Sequence, residues 1–416
     1  MVINTKYDVC HDEVNDNHDY KNFWILEDNG KHYHWLNTRS NPDDINKPNP
    51  LPITLGSKDN FVLKATFKTK SPIACKIRIK DSNNKYIFNE EQHPKKNANE
   101  EHEITFSCNT KPYKDTVQYF ENLSLNFEYS EDGSTWIPMK NIQFYLYLTW
   151  KEPLFSSFDT TSSSTMQLKC STNKNKENIC ETLLWIGCKR ASGISIINEE
   201  ALLDKIFDEF KSLKVIRVRE TKWISEGLGY WRNASMGSFT RGLRTLLKNG
   251  EARCGEWTDF LQHILFSQGL LVGNDTIGIC TEEATSYGFS TDPTIPGSYP
   301  ATTPVFKPIP ISFQFAVKNA IHSNTNNPNV TTGDSPGQGN PKSQPVFIDH
   351  YWFYYSKGKR FFDASYSKTY NMSESNLKKY CHDNISSVFL LNATRTLGSI
   401  ATTDLHNYIR ATKNLF

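Results

Sequence analysis

Apolar and polar positions alternate with a period of two through most of residues 46–152. Phe61, Leu63, Ala65 and Phe67 share one face, as do Ile73, Cys75, Ile77 and Ile79, then Ile104, Phe106 and Cys108. Leu123, Leu125, Phe127 and Tyr129 continue the pattern, and Ile142, Phe144, Leu146 and Leu148 close it. That period puts every second side chain on the same side of a pleated strand. Turn signals separate the runs, among them Asp81-Ser82-Asn83-Asn84 and Glu131-Asp132-Gly133-Ser134. About seven short strands at this spacing predict an antiparallel β-sandwich, immunoglobulin-like in outline. No Cys…Trp…Cys signature accompanies them, so the expectation is architectural and names no ligand. Residues 1–45 read as a polar, irregular lead-in anchored by Trp24 and Trp35. His32 and His34 stand there without the further Cys or carboxylate that a metal site needs, so no metal is expected.

Residues 153–180 are rich in Ser, Thr, Asn and Lys and read as a linker. From 181 to 416 the period shifts toward 3.6, mixed with strands, which predicts a single α+β domain. Asn198 can cap a helix whose buried stripe is Leu203, Ile206, Phe207 and Phe210. Val215-Ile216-Arg217-Val218 reads as a strand. Leu243, Leu246 and Leu247 make a short amphipathic helix that ends at Gly250. Trp257, Phe260, Leu261, Ile264 and Leu265 make a longer one, with Gly269 as its stop. Further strands are expected at Ile277 and Ile279, at Ile311 to Val317 and at Val388 to Leu391, with a terminal helix around Leu405, Tyr408 and Ile409. Residues 281–345 hold ten of the 19 prolines and read as an insertion, either a lid near the cleft mouth or tolerated extra length.

Two aromatic, β-branched runs flank Lys357-Gly358: Val346 to Tyr354, and Arg360 to Tyr366. They predict a hairpin. With Lys357 and Gly358 at the turn, Trp352 lies across from Asp363. His350 is then the diagonal neighbour of Asp363 on the same face, about 7–8 Å away and within side-chain reach. A slip of one residue would separate them. Asp349 points to the other face.

Cys254 falls where a loop becomes the longer helix. A thiol there feels the positive end of the helix dipole, which favours thiolate. Gly255 leaves room for a substrate. The run Arg253-Cys254-Gly255-Glu256-Trp257, with Gly250 four residues before the Cys, resembles the transglutaminase-like cysteine enzymes and is most similar to their peptide N-glycanase branch. The resemblance spans residues 215–370 apart from the insertion. It implies a papain-type core in which Cys254, His350 and Asp363 are nucleophile, base and orienter. It implies that one of Trp223, Tyr230 and Trp231 helps hold the oxyanion, and it makes Glu256 and Trp257 candidates for substrate binding. Each of these residues also has a packing role open to it. No paired Cys-x-x-Cys ligands precede the Cys helix, which separates the chain from the deglycosylases of that branch. Too few residues follow Asp363 for the trailing barrels of animal transglutaminases.

The implied activity is attack on protein or peptide amides through a thioester, hydrolytic as in a peptidase, amidase or deamidase. The alternatives are a cross-linking transglutaminase, a toxin-like effector using the same chemistry, and a non-catalytic binding protein on this fold. The 47 basic and 45 acidic side chains nearly balance, which argues against a nucleic-acid partner. No run approaches the length of a membrane span, and the start lacks the apolar core of a signal peptide. A cytoplasmic location, or export by a route that reads no such signal, is expected. Nine scattered cysteines form no zinc motif, although Cys170 and Cys180 could pair in an oxidising compartment. No calcium loop and no cofactor motif are legible.

Overall fold

The computed structural model describes residues 2–4, 9–10, 25–26, 32–33, 51–56, 60–68, 74–81, 88, 91–93, 101–108, 115–156, 170–171, 179–218, 227–230, 243–270, 276–280, 311–315, 336–341, 346–347, 349–355, 358–371, 385–391, 397–400 and 411–413. The chain is mixed α/β, with several multi-stranded sheets and, among the described residues, four helices. It divides into two compact units. The first holds residues 1–157, 169–206 and 263–271; the second holds 158–168, 207–262 and 272–416. The division falls inside two helices and not only at the polar stretch 153–180. The lead-in, expected to be irregular, contributes strands as well.

In the first unit the strands Val2–Asn4, Val62–Lys68 and Glu101–Ser107 form one sheet, in that order. A second has the order Leu51–Gly56, Ile137–Thr149, Gln118–Ser130, Cys75–Asp81 and Glu91–His93. Most residues of the period-two runs are buried, Cys108 and Tyr129 only partly, and both sheets contribute to one apolar core; Ile73 lies outside the described residues. Phe67, Phe106 and Phe127 meet there with ring centroids 6.2–6.4 Å apart. The pairing is not wholly antiparallel. Leu51–Gly56 runs parallel to Ile137–Thr149, a long-range pairing that local alternation cannot signal. The turn after Ser130 follows its composition: Asp132 Oδ1 accepts the N–H groups of Ser134 and Thr135 at 2.8 and 2.7 Å.

Helix α1 (Glu181–Arg190) was not expected. Eight of its ten residues are buried, so it presents no polar face to the eye. The buried Glu181 carboxylate accepts the Tyr147 hydroxyl at 2.9 Å. The linker residues pair in two places: Cys170 lies across from Ser156 nearby, and Cys180 lies across from Cys10 in the lead-in. Cys75, Cys108, Cys180, Cys188 and Cys254 carry no disulfide. Helix α2 (Glu199–Lys211) begins as expected, with Asn198 Oδ1 accepting the Ala201 N–H at 3.0 Å.

Helix α3 (Leu243–Asn249) ends at Gly250, which has φ +77°, and helix α4 (Cys254–Ser267) follows. Val215 is not in a strand; its carbonyl accepts the Leu228 N–H at 2.8 Å outside any sheet. In the second unit Phe207 and Phe210 of α2, Trp257 and Phe260 of α4, and Phe362 meet mostly edge to face at 5.0–6.2 Å. Phe362 belongs to an antiparallel sheet with the order Lys368–Asn371, Arg360–Asp363, Asp349–Tyr355, Thr276–Cys280 and Ala411–Lys413. A four-stranded sheet has the order Val346–Phe347, Ile311–Phe315, Ile385–Leu391 and Leu397–Ile400. The terminal helix expected around Leu405 and most of the insertion lie outside the described residues. No helix among them is long and apolar enough to cross a membrane.

Candidate functional site

Helix α4 opens with the cysteine. Arg253 is the residue before the helix, and Glu256 turns back to accept the Arg253 N–H on its carboxylate at 3.1 Å. This is the return half of a capping box, and it sets the angle at which the chain enters the helix. Cys254 is therefore the first helical residue, and its own N–H is among those a helix cannot satisfy internally. Its side chain is 2% exposed. Thr258 Oγ1 donates back to the Cys254 carbonyl at 3.0 Å. Both substrate-binding candidates are buried. Glu256 is buried in the capping bond, and Trp257 is wholly buried, its indole N–H donating to the Gly229 carbonyl at 3.4 Å.

Tyr230 reaches Cys254 through the backbone. Gly229–Tyr230 lies parallel to Glu251–Ala252, with Tyr230 opposite Ala252, two residues before the cysteine. The Tyr230 ring is fully buried and meets Tyr366 edge-on, centroids 5.1 Å apart. Burial pushes its phenol well above the usual range, and Tyr366, Cys254 and Asp363 add to the shift in that order. Trp223 and Trp231, the other two oxyanion candidates, lie outside the described residues.

Asp363 ends the strand Arg360–Asp363 with no exposed surface. Its Oδ1 accepts the N–H groups of Ser365 and Tyr366 at 3.0 and 3.1 Å, closing the turn that presents the Tyr366 ring. The hairpin register pairs Phe353 with Phe362, Tyr354 with Phe361 and Tyr355 with Arg360. Continued by one step beyond its last pair, this register would set Trp352 across from Asp363, as expected for a turn centred on Lys357 and Gly358. The His350 backbone follows two residues beyond, opposite Ile279. Only the backbone of His350 is described.

A fourth segment was not expected. Residues 336–341 belong to the stretch read as an insertion, yet Gln338 is fully buried at the centre of this cluster. Its carbonyl accepts the Tyr230 N–H at 2.6 Å, and its N–H donates to the Ser365 carbonyl at 2.9 Å. Its side-chain nitrogen donates to the carbonyls of Phe210 and Ala364 at 2.7 and 2.9 Å. Asn340 Nδ2 donates to the Tyr230 carbonyl at 3.0 Å, and the Gly339 N–H caps Leu213 at 2.7 Å. The only local signal is Gly337-Gln338-Gly339-Asn340, a turn sequence inside a Pro- and Asn-rich stretch.

Two more buried ionisable groups lie further along α4. Burial, with Glu256 adding, holds the Asp259 carboxyl well above the usual carboxylate range. Burial depresses the His263 imidazole to about 3. Among the described residues no cluster of three His, Cys, Asp or Glu side chains is placed to hold a metal ion. Comparisons with protein-family models, with curated proteins and with solved structures found no match.

Proposed function

We infer that the chain is a transglutaminase-like cysteine enzyme, an immunoglobulin-like sandwich followed by a papain-type core, that acts on protein or peptide amides. The observation that supports this reading is Cys254 at the first position of α4, with Tyr230 paired beside Ala252 two residues before it and its ring packed on Tyr366, which the Asp363 turn holds. In the proposed reaction His350 takes the Cys254 proton, and the thiolate attacks the amide carbon. The oxyanion is held by the Cys254 N–H and by one of Tyr230, Trp223 and Trp231, a donor of this kind contributing about 3–4 kcal/mol. His350 returns the proton to the leaving amine, Asp363 keeps the imidazole oriented, and water resolves the thioester to acid and free thiol. An amine in place of water would cross-link, and a toxin-like effector would use the same steps on a foreign protein.

The burial of Cys254, at 2% exposure, favours a second reading: a binding protein on this fold, or an enzyme latent in this form. Alkylation by iodoacetamide across pH, with His350→Ala as control, separates the two. An imidazole-paired thiolate labels quickly near about pH 6 and slows in the variant. Cys188 stays silent in the same assay because burial pushes its thiol up to about 12. Slow labelling of Cys254 with an ordinary thiol profile, unchanged in His350→Ala, would overturn the enzyme reading.

A further inference from the structure

The residues around Cys254 come from four distant parts of the chain, at 230, 254, 338 and 363–366. Cys254 and Tyr230 are tied through the parallel bridge at Ala252. Asp363 and Tyr366 are tied through the turn bond from the Tyr366 N–H. Hydrogen bonds of Gln338 join these two pairs, from both its backbone and its side chain.

We propose that Gln338, assisted by Asn340, is a positioning residue that holds Tyr230 and the Asp363 turn in register beside Cys254. The backbone of Gln338 joins the Tyr230 N–H to the Ser365 carbonyl, which any residue in that conformation would do. Its side chain makes the position specific. The amide nitrogen serves two carbonyls at once, Phe210 at the end of α2 and Ala364 directly after Asp363. A carboxylate has no hydrogen to give either of them, and a methionine of similar length has none as well. Losing the donor leaves the Phe210 carbonyl with the Leu213 N–H at 3.0 Å but takes this donor from the Ala364 carbonyl, which the turn can relieve only by shifting. Asn340 closes the same frame from the other side, because its bond to the Tyr230 carbonyl opposes the pull of Gln338 on the Tyr230 N–H. Tyr230 is therefore held through both its backbone N–H and its backbone carbonyl. That constraint fixes where its phenol stands relative to the start of α4, and functional groups must be held within about half an ångström to act together.

The proposal rests on the preceding reading only in taking Cys254 as the functional thiol. Its test is the ionisation of Cys254, followed by thiolate ultraviolet absorbance as a difference against Cys254→Ser, which needs no reagent to enter the site. The full chain is titrated as the parent, Gln338→Met, Asn340→Ala, Tyr230→Phe and the double variant Gln338→Met with Tyr230→Phe. A neutral phenol donor stabilises thiolate, so Tyr230→Phe raises the apparent pKa of Cys254. Gln338→Met and Asn340→Ala are expected to raise it in the same direction by about half a unit or more, and the double variant no further than Tyr230→Phe alone. A lower melting temperature with Cys254 titrating as in the parent would overturn the proposal, since it would make Gln338 a purely structural residue. So would an additive shift in the double variant. If Gln338→Met does not fold, Asn340→Ala, which leaves the buried amide in place, decides alone. His350→Ala in the same titration reports on the triad separately. No change there sinks the enzyme reading, and the shifts in the Gln338 and Tyr230 variants decide the positioning role independently of it.

Discussion

Tyr230 and Tyr366 meet edge to face with centroids 5.1 Å apart, and neither ring is reached from its own stretch of sequence alone. Tyr230 is delivered by the bridge to Ala252, and Tyr366 by the turn that Asp363 closes. Packing and hydroxyl chemistry can be separated at this contact. Tyr230→Ala empties a fully buried site and should destabilise by about 3–5 kcal/mol in urea unfolding. Tyr230→Phe keeps the ring and should cost about 1 kcal/mol or less. Equal losses from the two would mean that the hydroxyl, and not the ring, holds the site together.

Asp259 predicts an inverted pH dependence. Its folded carboxyl binds a proton more tightly than the unfolded one, because burial and then Glu256 disfavour the charge. The stabilising share of that group is complete below the ordinary carboxylate range and is lost as pH rises toward the folded value. Asp259→Asn removes the dependence. The variant should gain stability over the parent at neutral pH and converge with it near about pH 4. Urea unfolding of both proteins across that range checks this, and parallel profiles would show that Asp259 stays ionised.

Much of this frame is legible in the sequence, and the illegible parts have a common cause. The alternating runs from Phe61 to Leu148 match the buried positions because each strand has one face in the core. The α2 stripe and the Asn198 cap are legible because both are local. The hairpin register follows from a short turn. Helix α1 is hidden because Leu183, Leu184, Trp185 and Ile186 are all buried, and a helix covered on every side has no amphipathic period. Val215-Ile216-Arg217-Val218 has strand composition, yet Arg217 turns its guanidinium to the Leu247 carbonyl and no sheet forms. Gln338 is the least legible residue, since its side-chain partner at Phe210 stands 128 positions away in the chain. Polar residues in a Pro-rich stretch look dispensable until the fold supplies the carbonyls they serve.

His263 gives the opposite sign to Asp259. Burial depresses its imidazole to about 3, and Nδ1 has no hydrogen-bond partner among the described residues. The unfolded chain takes up the proton first, so the stabilising share is present above the ordinary histidine pKa and is lost as pH falls below it. At 3% exposure little screening intervenes. The loss should approach about 1.4 kcal/mol for each pH unit below about 6.5. His263→Leu cannot take up that proton and should resist acid better while folding at least as well at neutral pH. Chemical denaturation at two acid pH values would show it; equal acid losses in parent and variant would remove His263 as the cause.

The far end of α4 carries a prediction about shape alone. The Leu270 N–H returns to the Leu265 carbonyl at 3.1 Å and the Gly269 N–H to Phe266 at 2.8 Å, which is the Schellman arrangement with Gly269 at φ +73°. The same end is joined to the strand exit: the Lys151 N–H donates to the Gln268 carbonyl at 3.0 Å and the Leu154 N–H to Phe266 at 2.9 Å. A Cβ on Gly269 would fall 2.4 Å from the Glu152 carbonyl oxygen and 2.6 Å from the Lys151 side chain. Gly193, at φ +85°, would meet nothing within 4 Å and serves as the control. Gly193→Ala should cost about 1 kcal/mol, the conformational share alone. Gly269→Ala adds a collision with backbone, which has no rotamer to retreat to, and should cost about 2–4 kcal/mol in total. Thermal unfolding of the two variants side by side measures the difference. Equal costs would mean that residues 151–154 do not lie against the end of α4 as closely as these distances state.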